Sequence, residues 1–286
     1  MNIQIEIEHL KIQTEFYKEA IYSISKIGYL ELTSVIGPML TVNDSSLKSI
    51  ILLAENQHYR DLIILSRPFL EGIINIGFIC ADEKAVINSK KYAYQKGYRD
   101  LFRGIEINNF KMESHYSKYV SEFEDVVPEE MKEALADFTT SKGKEVTSWT
   151  PENTKLKLEI IGKTYGEYVN ALLSFAFFSI YRDVSEIIHN SYYGVRIFIG
   201  MQQKDNTVFK SSDEASEFFG QHQEKLATLI LQQINISICS IINILKQKFN
   251  IADLDLLYEK SNTRLLEYTE DVKGTATNSY YNGFGQ

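Results

Sequence analysis

The sequence predicts an all-α protein, a bundle of six to eight helices, and three observations carry that expectation. Apolar residues recur at i, i+3 and i+4 over segments of about twenty residues, the period of helices buried along one face. Four prolines and fifteen glycines in 286 residues leave little of the turn chemistry that a many-stranded fold requires. The composition, 44% hydrophobic and 24% charged, is that of an ordinary globular chain long enough to bury a sizeable core.

A first helix is expected from about Ile5 to Lys26, then a loop at Gly37-Pro38. Asn43-Asp44-Ser45-Ser46 offers short polar side chains that accept hydrogen bonds from helix N-terminal amides, so a second helix is expected from there to about Ala81. Pro68 removes a backbone hydrogen bond and should kink or break it near Ser66. A third, amphipathic helix should span Glu83 to Tyr119, and a short one Glu129 to Phe138. Thr139 to Asn153, which contains Trp149, reads as a loop, and Thr150-Pro151-Glu152 as a helix start. A short helix and a central one from about Tyr165 to Tyr192 come next, then Ser212 to Phe249 and Ala252 to Tyr268. Residues 1–270 are read as one domain with a motif-bearing core at about 45–200. The aperiodic stretch from Asp271 to Gln286 is read as a flexible tail.

The N-terminus lacks the basic and apolar regions of a signal peptide, and no stretch is read as reaching the about 18 apolar residues of a membrane span. Val169 to Ile180 comes nearest and runs into Arg182 and Asp183. Cys80 and Cys239 both lie in apolar runs, as buried thiols in a reducing compartment do. A cytoplasmic protein that makes no membrane contact is therefore expected. The net charge of −8 argues against nonspecific coating of nucleic acid but leaves room for a local basic groove.

On a wheel of about 100° per residue, the central helix carries Ser174, Tyr181, Arg182, Ser185 and His189 inside one arc of roughly 100°. Tyr181, Ser185 and His189 form an i, i+4, i+8 column between core and solvent. Arg182 and His189 are seven residues apart, nearly two turns. An imidazole moves protons near neutral pH and a guanidinium stabilises charge on a phosphate, so the pair suits phosphodiester cleavage. On the second helix, Arg67 and Glu71 are four apart and share a face. The same residues also read as a hydrogen-bond ladder and an internal ion pair that fix helix packing.

Taken together, Arg67-x3-Glu71, the Trp149 loop and Tyr181-x3-Ser185-x3-His189-x-Ser191 resemble a family of bacterial helical proteins without a settled activity. The resemblance covers roughly residues 45–200. The Arg-x6-His element also resembles the signature of the higher-eukaryote-and-prokaryote nucleotide-binding superfamily (HEPN). That resemblance implies a helical bundle and a metal-independent RNase of a toxin or antiphage system, with its active site formed across a homodimer. It would make Arg182 the phosphate-stabilising residue, His189 the proton carrier and Asp183 the polar residue after the arginine. Tyr181, Ser185, Arg67 and Glu71 would be supports.

Tyr92, Lys96, Arg99 and Arg103 fall on one stripe of the third helix and would supply an aromatic and basic surface for RNA, or else a solvated face. Two Glu-x2-His pairs, Glu55/His58 and Glu186/His189, have the spacing of di-metal bundles. The sides on which these pairs fall argue against a metal site, so neither metal nor cofactor is expected. Three readings remain open at this stage: an RNA-cleaving enzyme, a non-catalytic binding or regulatory protein that meets a protein partner, and a di-metal bundle.

Overall fold

A computed structural model describes residues 2–101, 104–108, 110–113, 128–201 and 209–276. The chain divides into two compact units, one of Met1–Ala81 with Thr154–Gln286 and one of Asp82–Asn153.

The larger unit is helical: α1 (Ile3–Ser25), α2 (Glu31–Glu55), α3 (Tyr59–Ala81), then, after the smaller unit, α6 (Thr154–Tyr165), α7 (Glu167–Ile188), α8 (Tyr192–Phe198), α9 (Ser212–Phe249) and α10 (Ala252–Ala276). Its centre is α9, which packs against α1, α3, α7, α8 and α10. Ser211 starts α9 by accepting a hydrogen bond from the Glu214 amide, and Asn250 ends it in the left-handed conformation. Between them Ile234, Ile238, Ile241, Ile242 and Leu245 are fully buried. Buried polar pairs fix the neighbours. Gln13 of α1 donates to the Ser261 carbonyl of α10 and accepts from the Ser261 hydroxyl, at 3.0 and 2.6 Å.

The smaller unit holds α4 (Glu83–Leu101), a hairpin of β1 (Gly104–Ile107) and β2 (Phe110–Glu113), and α5 (Glu129–Asp137). The strands pair antiparallel, Ile105 opposite Met112 and Ile107 opposite Phe110.

The all-α expectation holds, but the described residues form ten helices rather than six to eight. One addition arises because the expected second helix is two: the chain turns at Asn56–His58, with Gln57 at a φ of 59°. The other is α8, which Ser191 caps. Helix α2 also begins earlier than expected, at Glu31, where the Leu30 amide donates to Thr33 Oγ1 at 2.8 Å. Gly37-Pro38 and Asn43-Asp44 therefore lie inside a helix. Helix α3 likewise continues through Pro68. The expected third helix stops at Leu101 and gives way to the hairpin, and the first part of the expected tail belongs to α10.

Two helices, α3 and α9, are long and apolar enough to cross a membrane, which corrects the expectation that no stretch is. Of their most apolar windows, 61% and 83% is buried inside the protein. Cys80 and Cys239 are free buried thiols, pushed by burial up to about 12 and about 11.

Candidate functional site

Helices α3 and α7 pack side by side, and their contact joins the two motifs singled out in the sequence. Arg67 Nε donates to Glu71 Oε1 at 2.9 Å, one helical turn on. The same guanidinium covers the Tyr181 ring, with Cζ 4.3 Å from the ring centroid. Phe177 packs on Tyr181 at 4.6 Å between centroids. The Arg67 side chain is only 20% exposed, so both of its interactions operate partly out of water, where a cation over an aromatic face is worth about 0.5–2 kcal/mol.

From Tyr181 the stripe runs outward along α7. Tyr181, Asp183 and Ser185 are half-buried, whereas Arg182 and His189 are exposed. Neither Arg182 nor His189 makes a side-chain hydrogen bond or ion pair among the described residues. Phe178, one turn before Arg182, is 76% exposed, and Phe175 is also exposed. Phe175, Phe178, Arg182 and His189 recur at spacings of three, four and seven, so they share one solvent-facing stripe. Tyr192, exposed at the start of α8, lies just beyond it in the chain.

His189 caps the C-terminus of α7 at a corner held by its neighbours. Asn190 takes the left-handed conformation, with a φ of 50°. Ser191 Oγ donates to Glu186 Oε2 at 2.8 Å and accepts from the Gly194 amide at 2.9 Å. A Cβ on Gly194 would lie 2.1 Å from the Glu186 carbonyl oxygen, so only glycine lets α8 approach this closely.

Glu186 enters the sequence reading only through its spacing to His189, and Gly194 and the exposed phenylalanines do not enter it. The signal for the corner was present, since Ser191 stands three residues before Gly194 and follows an asparagine.

The stripe expected to bind RNA on the third helix is largely engaged in holding the smaller unit together. Tyr92 donates to the Thr147 carbonyl at 2.9 Å and packs edge-on against Phe138. Lys96 pairs with Glu145 at 2.8 Å. Arg99 binds Gln95 Oε1 and Thr139 Oγ1, each at 2.6 Å, and reaches the Leu135 and Phe138 carbonyls. Arg103 lies outside the described residues. Glu55 pairs with Lys11 at 2.9 Å, and no group of three or more His, Cys, Asp or Glu that could hold a metal occurs among the described residues.

A family described as a family of unknown function, DUF5677, matches residues 34–207. The chain belongs to DUF5677. The matched span runs from within α2 past α8, so it contains Arg67, Glu71, Tyr181, Ser185 and His189 and leaves α1, α9 and α10 outside. The DUF5677 assignment brings no activity with it. No curated protein and no solved structure matches the chain.

Proposed function

We propose that this protein is a HEPN-like, metal-independent ribonuclease or toxin-type effector of antiphage defence, working on RNA in the cytoplasm as a homodimer. The observation that carries the reading is the exposed stripe of α7, where Arg182 and His189, which make no side-chain hydrogen bond or ion pair among the described residues, stand in line with Phe175 and Phe178. A guanidinium and an imidazole answer a phosphate, and exposed aromatic rings answer bases.

In the proposed reaction His189 removes the proton from a ribose 2′-hydroxyl, whose oxygen attacks the adjacent phosphorus. The bond from phosphorus to the 5′-oxygen breaks, and a second imidazole, His189 of the other protomer, protonates the leaving oxygen. The products are a cyclic phosphate and a 5′-hydroxyl. Arg182 stabilises the charge that builds on the phosphoryl oxygens, the largest single contribution in reactions of this kind. Arg67, through Tyr181, holds α7 in position.

A second reading, a non-catalytic binding or regulatory protein, is favoured by the Arg67–Tyr181 contact, which is a complete packing interaction without any substrate. The deciding experiment is induction of the wild-type chain and its Arg182→Ala and His189→Ala variants in a bacterial host, with total RNA examined alongside growth. Growth arrest with RNA fragmentation, lost in both folded variants, is the expected result. Intact RNA and normal growth with abundant folded wild type would turn the assignment to the binding role.

A further inference from the structure

Just beyond His189 the chain presents another exposed aromatic ring. Tyr192, the first residue of α8, is 79% exposed. It follows His189 by three positions, so the two Cα atoms lie within about 11 Å of each other.

The corner between α7 and α8 fixes that relationship. Ser191 accepts from the Gly194 amide and donates to Glu186 of α7, and Gly194 meets the Glu186 backbone too closely for a side chain. Tyr192 sits between these two anchors. Its ring is steadied from within α8: the Arg196 guanidinium lies over it, with Cζ 5.8 Å from the centroid. Arg196 is itself held by the Met201 carbonyl, to which Nε and Nη2 donate at 3.1 and 2.7 Å. A ring anchored in this way, with most of its surface in water, loses little freedom when a base stacks on it.

Phe178 is the corresponding ring on the other side of the pair, one turn before Arg182 and about 6 Å from it along the helix axis. Arg182 and His189 are thus bracketed in the chain by two exposed rings. Positive charge is scarce by comparison. Helices α7 and α8 contain no lysine and only the arginines Arg182 and Arg196, the second of them engaged by Met201. Glu167, Asp183 and Glu186 lie on α7 as well. Such a surface can neutralise about one or two phosphates, which leaves the faces of the bases to supply most of the affinity.

We propose that Tyr192 is a second base-stacking residue, and that Tyr192 and Phe178 hold two unpaired bases flanking the Arg182/His189 pair by stacking rather than by charge. This rests on the RNA-directed reading above and names the RNA it takes: a strand unpaired on both sides of the phosphate at Arg182. In a duplex the faces of each base are covered by its neighbours, so neither ring has a partner there.

The test is fluorescence anisotropy of the purified full chain with a 2′-O-methylated oligouridylate of about ten nucleotides. The methyl groups remove the attacking hydroxyl, so binding is read without cleavage. Tyr192→Ala should weaken binding by about 5- to 150-fold, the range for loss of one stacking partner, and should leave the melting temperature unchanged. Tyr192→Phe should bind within about twofold of wild type, because the ring and not the hydroxyl makes the contact. The logarithm of the affinity should fall with the logarithm of salt concentration at a slope of only about −0.7 to −1.4. Annealing a complementary strand should abolish binding. Unchanged affinity in Tyr192→Ala, a Tyr192→Phe variant as weak as Tyr192→Ala, a steeper salt slope, equal binding of the duplex, or no binding by the wild type would overturn the proposal. So would an equal loss in Tyr29→Ala, which removes the 83% exposed tyrosine that precedes α2. Cleavage of unmodified RNA is read separately. Binding with the expected pattern by a chain that leaves unmodified RNA intact would retain the two rings and remove the nuclease. Cleavage by a chain whose affinity is indifferent to Tyr192 would do the reverse.

Discussion

The Arg67 guanidinium lies over the face of the Tyr181 ring, 4.3 Å from its centroid, and so joins two helices whose motifs are far apart in the sequence. A double-mutant cycle of Arg67→Ala and Tyr181→Leu, read by urea unfolding, should give a coupling of about 0.5–2 kcal/mol. Strict additivity would mean that the two side chains are neighbours without an energetic link.

Gly194→Ala should be costly for its size. The added methyl meets the Glu186 carbonyl, which is backbone and cannot swing away, so α8 must shift. Forced overpacking of this kind costs about 1–3 kcal/mol. Thermal unfolding would show it, and an unchanged midpoint would mean that the α7–α8 corner tolerates displacement.

Phe178→Ala should do the opposite, leaving stability within about 0.5 kcal/mol of wild type because the ring is mostly in solvent. Loss of one stacking partner should weaken binding of single-stranded RNA by about 5- to 150-fold. Filter binding at fixed salt measures this, and unchanged affinity would remove the aromatic stripe from the RNA reading.

Arg99→Ala should loosen the smaller unit. The side chain holds α4 to the end of α5, and hydrogen bonds from a charged group are worth about 1.5–3 kcal/mol. Hydrogen exchange at the amides of Leu135 to Thr139 should accelerate. Unaltered exchange would return Arg99 to the role of a surface residue available to RNA.

Glu6 makes stability depend on pH. Burial raises its carboxyl from 4.5 to about 7, partly opposed by the hydrogen bond it accepts from Gln232 at 3.0 Å. The folded value exceeds the unfolded one, so the fold favours the protonated form. The resulting penalty is absent below pH 4.5, grows as pH rises from 4.5 to about 7, and is complete above that. Glu6→Gln should therefore stabilise the protein at pH 8 by on the order of 2–3 kcal/mol and change little at pH 4. Equal effects at both pH values would place the ionisation elsewhere.

Much of the architecture was legible because long apolar periodicity survives any local irregularity. The boundaries were less so. Pro38 and Pro68 are usually helix breakers, yet tertiary packing carries α2 and α3 through both. The chain instead turns at Asn56-Gln57-His58, which has neither glycine nor proline to mark it. The hairpin did carry a signal, since Ile105-Glu106-Ile107 and Phe110-Lys111-Met112 alternate around two asparagines, with Asn108 at a φ of 51°. It was masked by the helical period on either side.

The candidate site divides in the same way. Spacing on α7 placed Tyr181, Ser185 and His189 on one stripe, because a single helix has a known geometry. Spacing within α3 put Arg67 beside Glu71 for the same reason. Nothing local states that α3 meets α7 at Arg67 and Tyr181, that Asn43 is buried inside α2, or that Phe175 and Phe178 face solvent. Those are outcomes of packing between distant segments.

The position of α9 bears on how the protein is made. Helices α1, α3 and α7 all bury their apolar faces against a segment that starts at Ser212, so a nascent chain emerging from the ribosome holds most of its core elements before their common partner exists. The smaller unit, contained within Asp82–Asn153, has all its own parts long before that. Assembly of the larger unit waits on the synthesis of α9, and until then its apolar helices expose the kind of surface that is prone to aggregate. A transcript interrupted before residue 212 would yield the α7 stripe without the core that supports it.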